Sequence, residues 1–113
     1  MNIHTLKFEE KDRARFNEVK DGTKKIETRA MNQKYDSIEQ GDEIMFTCGE
    51  DSFTKKISKK YHWQTVEAMV AEVPLNKIMP GLLTVEDAKN RYSTYPGYIE
   101  KIEKGGILGF ELI

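Results

Sequence analysis

Apolar and polar positions alternate with a period of about two in several short segments of the chain. Residues 3–8 alternate loosely and residues 43–47 do so after a turn signal, so both segments are predicted strands. The lysine-rich run 53–61 and the apolar run 107–113 are further predicted strands, and the second of them reads as buried. Residues 25–29 contain isoleucine and threonine and are predicted to be extended.

Helical periodicity and helix-end signals occupy the remaining segments. Residues 10–20 are rich in helix formers, and Gly22 follows where a helix needs a left-handed C-terminal residue. Thr65 and Thr84 are predicted N-caps of two later helices, and Gly105 ends a short one. Several strands follow one another without intervening helices, which favours the α+β class over a doubly wound parallel sheet. We expect a small curved β-barrel with helices at its openings.

Length and composition set limits on the kind of protein. A chain of 113 residues fits one domain, residues 1–113, and its net charge of −1 neither demands nor excludes a nucleic-acid partner. No apolar run approaches the roughly 20 residues that a membrane helix requires, so we expect no membrane partner. The single cysteine, Cys48, cannot form an internal disulfide, which predicts a cytoplasmic protein. The oligomeric state is open, with a monomer as the default.

Several familiar chemistries have no signature in the sequence. There is no P-loop, no dinucleotide fingerprint and no Gly-x-Ser-x-Gly elbow. His4, His62 and Cys48 are too dispersed for a structural zinc site. We therefore expect no metal and no cofactor, and the chemistry must come from charged or aromatic side chains.

Residues 22–29 carry the most informative charge pattern. In an extended segment Lys25, Glu27 and Arg29 project to one face, and Lys24 lies at an irregular position from which it can turn towards them. A carboxylate between cations stays ionised, and such a cluster can hold a phosphate or activate water. The alternative is an ordinary ladder of surface salt bridges on a strand.

The pattern Gly22-x-Lys24-x-x-Glu27-x-Arg29 resembles the signature of the ASCH domain family, whose members are relatives of the PUA domain. The similarity extends over residues 6–112. Further motifs that look like those of the family follow in order at Ile38 to Phe46, Tyr61, Ile78-Met79-Pro80, Tyr95-Pro96 and Gly106 to Phe110. The resemblance implies a PUA-like β-barrel and an association with RNA metabolism.

Carried over by position, the resemblance places Lys24, Glu27 and Arg29 in a cleft, with Lys24 and Glu27 as candidate catalytic residues. Lysines supply phosphate contacts, and tyrosine or tryptophan rings can stack on bases, although core packing is the alternative for each ring. The candidate RNA- or nucleotide-binding residues are Lys25, Arg29, Lys55, Lys59, Tyr61, Trp63, Tyr92 and Tyr95.

Two departures bear on the reaction that the resemblance implies. One ASCH-like subfamily deacetylates N-acetylcytidine, and its catalytic lysine matches Lys24. Its catalytic threonine falls at Glu27, and its catalytic glutamate falls near Met79-Pro80, where this chain has no carboxylate. The leading expectation is therefore an RNA- or nucleotide-binding domain. The alternatives are a small hydrolase of a modified nucleoside or RNA, using Lys24 and Glu27, and a protein-interaction adaptor module.

Overall fold

A computed structural model describes residues 1–113 as a curled five-stranded sheet with helices packed around it. The strands are β1 (Ile3–Phe8), β2 (Ile26–Ala30), β3 (Glu43–Cys48), β4 (Asp51–Trp63) and β5 (Ile107–Leu112). The helices are α1 (Arg13–Asp21), α2 (Gln33–Asp36), α3 (Val66–Glu72), α4 (Val85–Ser93) and α5 (Tyr98–Gly105), with 3-10 turns at Glu10–Asp12 and Leu75–Lys77. None of these helices is long and apolar enough to cross a membrane.

The sheet runs in the order β1-β3-β4-β5-β2, with β1 and β3 parallel and every other pair antiparallel. The long strand β4 joins its two halves, since Asp51–Lys56 pair with β3 and Ile57–Trp63 pair with β5. The register shifts between Ile57 and Lys59, and such an irregularity bends a strand and increases its twist. The sheet thus curls into a half-barrel, and the predicted α+β class is confirmed.

The buried apolar side chains form two cores. One contains Phe16 of α1 with residues of β1 and β3, and the other contains Tyr92 of α4 with residues of α3 and Ile26. Every residue of β2 is buried or half-buried. The charged residues of this strand are therefore largely withdrawn from solvent, and the interpretation as a ladder of surface salt bridges is wrong.

The predicted helix ends are largely confirmed. Gly22 has φ of 87° in the left-handed region and its amide donates to the Val19 carbonyl, closing α1. Thr65 accepts from the Ala68 amide at 3.1 Å, and Thr84 forms a capping box with Asp87. These hydrogen bonds join residues that are close in the sequence, which explains why the sequence predicted the ends of these helices.

Some boundaries differ from the predictions. The helical spacing of Val66, Met69, Val70 and Val73 after Thr65 predicts a helix that includes Val73. Val73 is instead extended, with φ of −130° and ψ of 145°, because the ring of Pro74 disfavours helical geometry in the preceding residue. The lysine-rich strand runs from Asp51 to Trp63 rather than from 53 to 61, since both of its ends find pairing partners. The short helix α2 was not predicted.

Candidate functional site

The segment from the end of α1 into β2 brings three charged side chains together. After Gly22 the Lys24 amide donates to the Glu18 carbonyl at 3.0 Å, so the chain doubles back before β2. Lys24 Nζ lies 3.1 Å from Glu27 Oε1, and Arg29 donates to Glu27 Oε2 from Nε at 3.1 Å and from Nη2 at 3.0 Å. The predicted cation–carboxylate–cation cluster is present.

The Glu27 carboxylate is the centre of this cluster and is only 2% exposed. Burial by itself raises the pKa of Glu27, but the charges of Lys24 and Arg29 and their hydrogen bonds outweigh burial and hold that pKa below its usual value. The Thr28 amide adds another donor at 3.2 Å. Glu27 is therefore an ionised carboxylate with most of its acceptor positions occupied.

Aromatic rings hold the Arg29 guanidinium in place. Its central carbon lies 5.2 Å from the centroid of the Phe8 ring and 5.6 Å from that of Tyr35. These cation–π contacts, together with the two hydrogen bonds to Glu27, fix the orientation of the side chain. Burial favours a neutral guanidinium, but Glu27 outweighs it and raises the pKa of Arg29.

A cavity of about 160 Å³ opens beside the cluster. Residues from β1, α1, β2, α4 and α5 surround it. They are Lys7, Phe8, Glu9, Asp12, Arg15, Lys24, Glu27, Thr28, Arg29, Met79, Arg91, Tyr92, Tyr95 and Tyr98. The charged cluster forms one side of this cavity, and the three tyrosines supply most of its aromatic surface.

The tyrosine hydroxyls stay protonated over the physiological pH range. Tyr92 is buried and its hydroxyl shares a 2.6 Å hydrogen bond with Thr28 Oγ1. Burial raises the pKa of Tyr92, and it raises the pKa of Tyr98 to about 12. The rings of Tyr95 and Tyr98 meet edge to face at 5.1 Å. The cavity therefore offers neutral aromatic faces and phenol hydroxyls to a ligand.

Cations outnumber acids around the cavity, with five basic against three acidic side chains. Lys24 and Arg29 are paired with Glu27, and Arg15 is paired with Glu18. Lys7 and Arg91 make no ion pair. These two cations are the ones whose charge is available to an anionic ligand.

Five of the residues predicted from sequence meet at the cavity: Lys24, Glu27, Arg29, Tyr92 and Tyr95. Lys25 does not, although it was predicted to share a face with Glu27 and Arg29. It precedes β2, its amide donates to the Lys77 carbonyl, and its Nζ donates to the Gly22 carbonyl at 3.2 Å. Its side chain is consequently exposed and outside the cavity.

The candidate residues of β4 also lie outside the cavity. Lys55 and Lys59 lie over the rings of Phe53 and Tyr61, at 6.0 and 4.7 Å from the centroids. Tyr61 stacks on Trp63 at 4.8 Å and donates to Glu111. For Lys55, Lys59 and Tyr61, contact with RNA stays a prediction, and it concerns a surface other than the cavity.

Trp63 packs in the core of the protein, which was the alternative to base stacking for each of the candidate aromatic residues. It is 3% exposed, and its Nε1 donates to Glu72 Oε1 at 2.6 Å. Its ring lies so close to Gly109 that a Cβ there would come within 2.6 Å of it. Trp63 is thus buried against β5 and has no free face on which a base could stack.

Sequence reasoning missed several residues of the cavity wall. Tyr98 comes from the start of α5, Arg15 from α1 and Arg91 from α4. The only sequence signal for Tyr98 was its position two residues after the Tyr95-Pro96 motif. Arg15 and Arg91 look like ordinary surface residues of amphipathic helices, and only the packing of those helices brings them to one opening.

Asp42 binds the backbone of its turn and of the N-terminal segment. It accepts from the amides of Asn2 at 3.1 Å and Glu39 at 3.0 Å and lies 2.8 Å from His4 Nε2. The hydrogen bonds to His4 and to the two amides lower the pKa of Asp42 to about 2. Asp42 is a scaffold residue away from the cavity.

Comparison with known proteins places the fold among solved structures. No family model matches the chain, and no curated protein does so. The crystal structure of hypothetical protein PH0355 is similar, with a TM-score of 0.78, 24% identity, and coverage of 99% of this chain and 97% of that one. The solution structure of protein PF0455 from Pyrococcus furiosus has a TM-score of 0.73 and 23% identity, with coverage of 97% and 94%. The chain thus shares its curled α+β fold with these two proteins over nearly its whole length.

Proposed function

We propose that this protein binds a nucleotide, free or as a unit of RNA, in the cavity between the Lys24–Glu27–Arg29 cluster and the tyrosines. The observation that supports this proposal most strongly is that a buried ion cluster and three tyrosine rings line the same small cavity. This combination suits a ligand with an aromatic face, hydrogen-bonding edges and a negative charge.

We further propose that the chain is a PUA-like domain of the ASCH type. The curled half-barrel is compatible with that architecture. The residues that resemble the ASCH signature, Lys24, Glu27 and Arg29, converge on the cavity. Sequence resemblance and geometry therefore support the same location for the binding site.

The size of the cavity favours a small aromatic group. Sites for drug-sized ligands usually have volumes of about 300–1,000 Å³, whereas this cavity has about 160 Å³. Tyr95 and Tyr98 offer rings for stacking, and Arg29 offers a fixed guanidinium beside them. A single base or nucleoside fits this description better than a folded RNA surface.

The unpaired cations suit the phosphate. Lys7 and Arg91 line the cavity without an ion pair, so a phosphate can bind there without breaking an existing contact. Charge-assisted hydrogen bonds of this type are stronger than neutral ones. The overall charge of −1 means that attraction comes from this local arrangement rather than from the whole surface.

Hydrolysis that uses Glu27 as a base is less well supported. Its lowered pKa makes it a weak proton acceptor at neutral pH, and Lys24, Arg29 and the Thr28 amide occupy its oxygens. The ion pairs of Glu27 with Lys24 and Arg29 keep all three side chains charged and hold them in one orientation. This observation favours binding over general-base catalysis.

The test is calorimetric titration of the protein with ribonucleoside 5′-monophosphates and with short mixed-sequence RNA, at low and at high salt. We expect binding that weakens as salt rises. Arg91→Ala should weaken it about tenfold, because a charged hydrogen bond to the ligand is lost. Arg91 is half-buried and unpaired, so its removal leaves no orphaned partner in the protein.

Lys104→Ala is the matched control. Lys104 is exposed on α5, lies outside the cavity and makes no ion pair, so this variant removes one positive charge elsewhere. Its nucleotide affinity should equal that of the wild type. Absence of salt-sensitive binding to every nucleotide and RNA tested, or equal losses in the two variants, would contradict the proposed function.

A further inference from the structure

A second, more open depression adjoins the cavity on the side of α4. It has a volume of about 470 Å³ and is lined by Asp12, Arg15, Leu82, Asp87, Asn90, Arg91, Thr94 and Tyr95. Four of these residues, Asp12, Arg15, Arg91 and Tyr95, also line the cavity. The two depressions therefore share a rim, and we call the second one the α4 groove.

One face of α4 forms the longer wall of this groove. Asn90 and Arg91 lie three and four residues after Asp87, and Thr94 lies four and three residues after them, which places all four on the same side of the helix and its C-terminal cap. Asn90 and Thr94 are exposed. The wall is polar throughout, as expected for a surface that contacts a solvated ligand rather than an apolar partner.

The charges of the groove differ in their availability. Asp87 accepts from the Thr84 amide in the capping box, and Arg15 is paired with Glu18 at 2.6 Å. Arg91, which stands on the shared rim, has no ion pair. A guanidinium at the junction of two depressions is placed to contact an anion that links groups in both of them.

We infer that the cavity and the α4 groove form one site for two consecutive nucleotides of single-stranded RNA. One base lies in the cavity, the linking phosphate lies at Arg91, and the neighbouring nucleotide lies in the groove against Asn90 and Thr94. This inference rests on the proposed nucleotide-binding function and specifies its ligand: an oligonucleotide rather than a free mononucleotide. Phosphate contacts at the rim fix the position of the strand, and the cavity beside the tyrosines receives the base.

The test compares the binding of ribonucleoside 5′-monophosphates and of 5′-phosphorylated RNA dinucleotides by calorimetric titration. It uses the wild type and two variants that place opposite charges at position 90. Asn90 is exposed on α4 and lines the α4 groove but not the cavity. Because the side chain is exposed, the variants Asn90→Lys and Asn90→Glu should both fold. We expect the wild type to bind dinucleotides about tenfold more tightly than monophosphates, since the second nucleotide adds its groove contacts to the phosphate contact that Arg91 makes with both ligands.

Asn90→Lys should then tighten dinucleotide binding and Asn90→Glu should weaken it, each by about two- to fivefold, as expected for a charge at a partly exposed site. Both changes should be larger for the dinucleotide than for the monophosphate. The matched controls are Asn17→Lys and Asn17→Glu, because Asn17 is exposed on α1 and lines neither depression. These controls should leave both affinities unchanged.

Two results would overturn the inference while leaving the proposed function intact. One is equal wild-type affinity for monophosphates and dinucleotides. The other is an Asn90 charge effect no larger than that at Asn17. A protein that binds neither ligand overturns the proposed function itself, and the inference with it.

Discussion

Glu27 and Asp42 are the two buried acidic side chains of this protein, and they have different surroundings. Glu27 is held by Lys24 and Arg29 and faces a cavity. Asp42 is held by His4 and by the amides of Asn2 and Glu39, and it lines neither the cavity nor the α4 groove.

The difference shows how the donors around a buried carboxylate indicate its role. Backbone donors come from fixed positions in the chain, so Asp42 joins the N-terminal segment to the turn before β3. The donors of Glu27 are long cationic side chains, and the carboxylate holds them in place beside the cavity. A carboxylate that orients cations at a cavity is a candidate site residue, whereas one that ties backbone segments is part of the scaffold.

The largest expected effect follows from Glu27→Gln. This change leaves the buried Lys24 and Arg29 without their counter-ion, and breaking a buried ion pair on one side costs about 3 kcal/mol or more. The free energy of unfolding from urea titration should fall by that amount, and nucleotide affinity should fall with it because both cations lose their orientation.

Glu18→Gln is the control for that change, since it breaks the pair with Arg15 at the partly exposed surface of α1. Its cost should stay below about 1 kcal/mol. Equal losses in the two variants would mean that the Glu27 cluster is as well solvated as a surface pair.

Asp42→Asn should have a smaller effect, confined to stability. The amide keeps one oxygen acceptor and creates no buried unpaired lysine or arginine, so the thermal midpoint should fall less than in Glu27→Gln. Nucleotide affinity, measured by the same titration, should not change. A loss of affinity in Asp42→Asn would remove the distinction between the two carboxylates.

Tyr92→Phe tests the layer behind the Glu27 cluster. It removes the hydrogen bond between Thr28 Oγ1 and the Tyr92 hydroxyl, which are both buried, and should lower the free energy of unfolding by about 1 kcal/mol. Tyr95→Phe is the comparison, because the Tyr95 side chain is only half-buried. Loss of its hydroxyl should lower the free energy of unfolding by less than the change at Tyr92. A larger loss in Tyr95→Phe would contradict this account of the cavity wall.

Acid titration tests the contribution of the Asp42 carboxylate to stability through its lowered pKa. The folded pKa values of Asp42 and Glu27 are both lowered, so each carboxylate stabilises the protein above its unfolded pKa and loses that contribution as the pH falls. For Asp42 the loss runs from its ordinary value of 3.8 down to about 2. The thermal midpoint of the wild type should therefore fall in this range more steeply than that of Asp42→Asn, and parallel curves would contradict the assignment to Asp42.

Local signals in the sequence were enough to predict many element boundaries. Gly22, Thr65 and Thr84 end or begin helices through hydrogen bonds to residues within a few positions, and such contacts depend on little else. The first strand was predicted at its observed bounds, Ile3–Phe8. In contrast, α2 has no strong periodicity, and the sequence alone did not reveal it.

The candidate site was predicted in part. The spacing of Glu27 and Arg29 indicated an ion pair, because residues two apart share a face of an extended segment, and Lys24 was predicted to turn towards them from an irregular position. Lys25 belonged to the same pattern, but its backbone amide is committed to Lys77 and its side chain is exposed. The contact with Lys77 lies 52 positions along the chain, beyond the reach of any local pattern.

The sequence by itself determined the secondary-structure class, the helix caps and the charged cluster of β2, since each depends on contacts between near neighbours in the chain. Only the tertiary structure decided that this cluster is buried, and that Arg15, Arg91 and Tyr98 stand around it. The reason is physical: the exposure of a side chain depends on which distant elements pack over it. Here α1, α4 and α5, which are distant from one another in the sequence, contribute side chains to the same cavity as Lys24, Glu27 and Arg29.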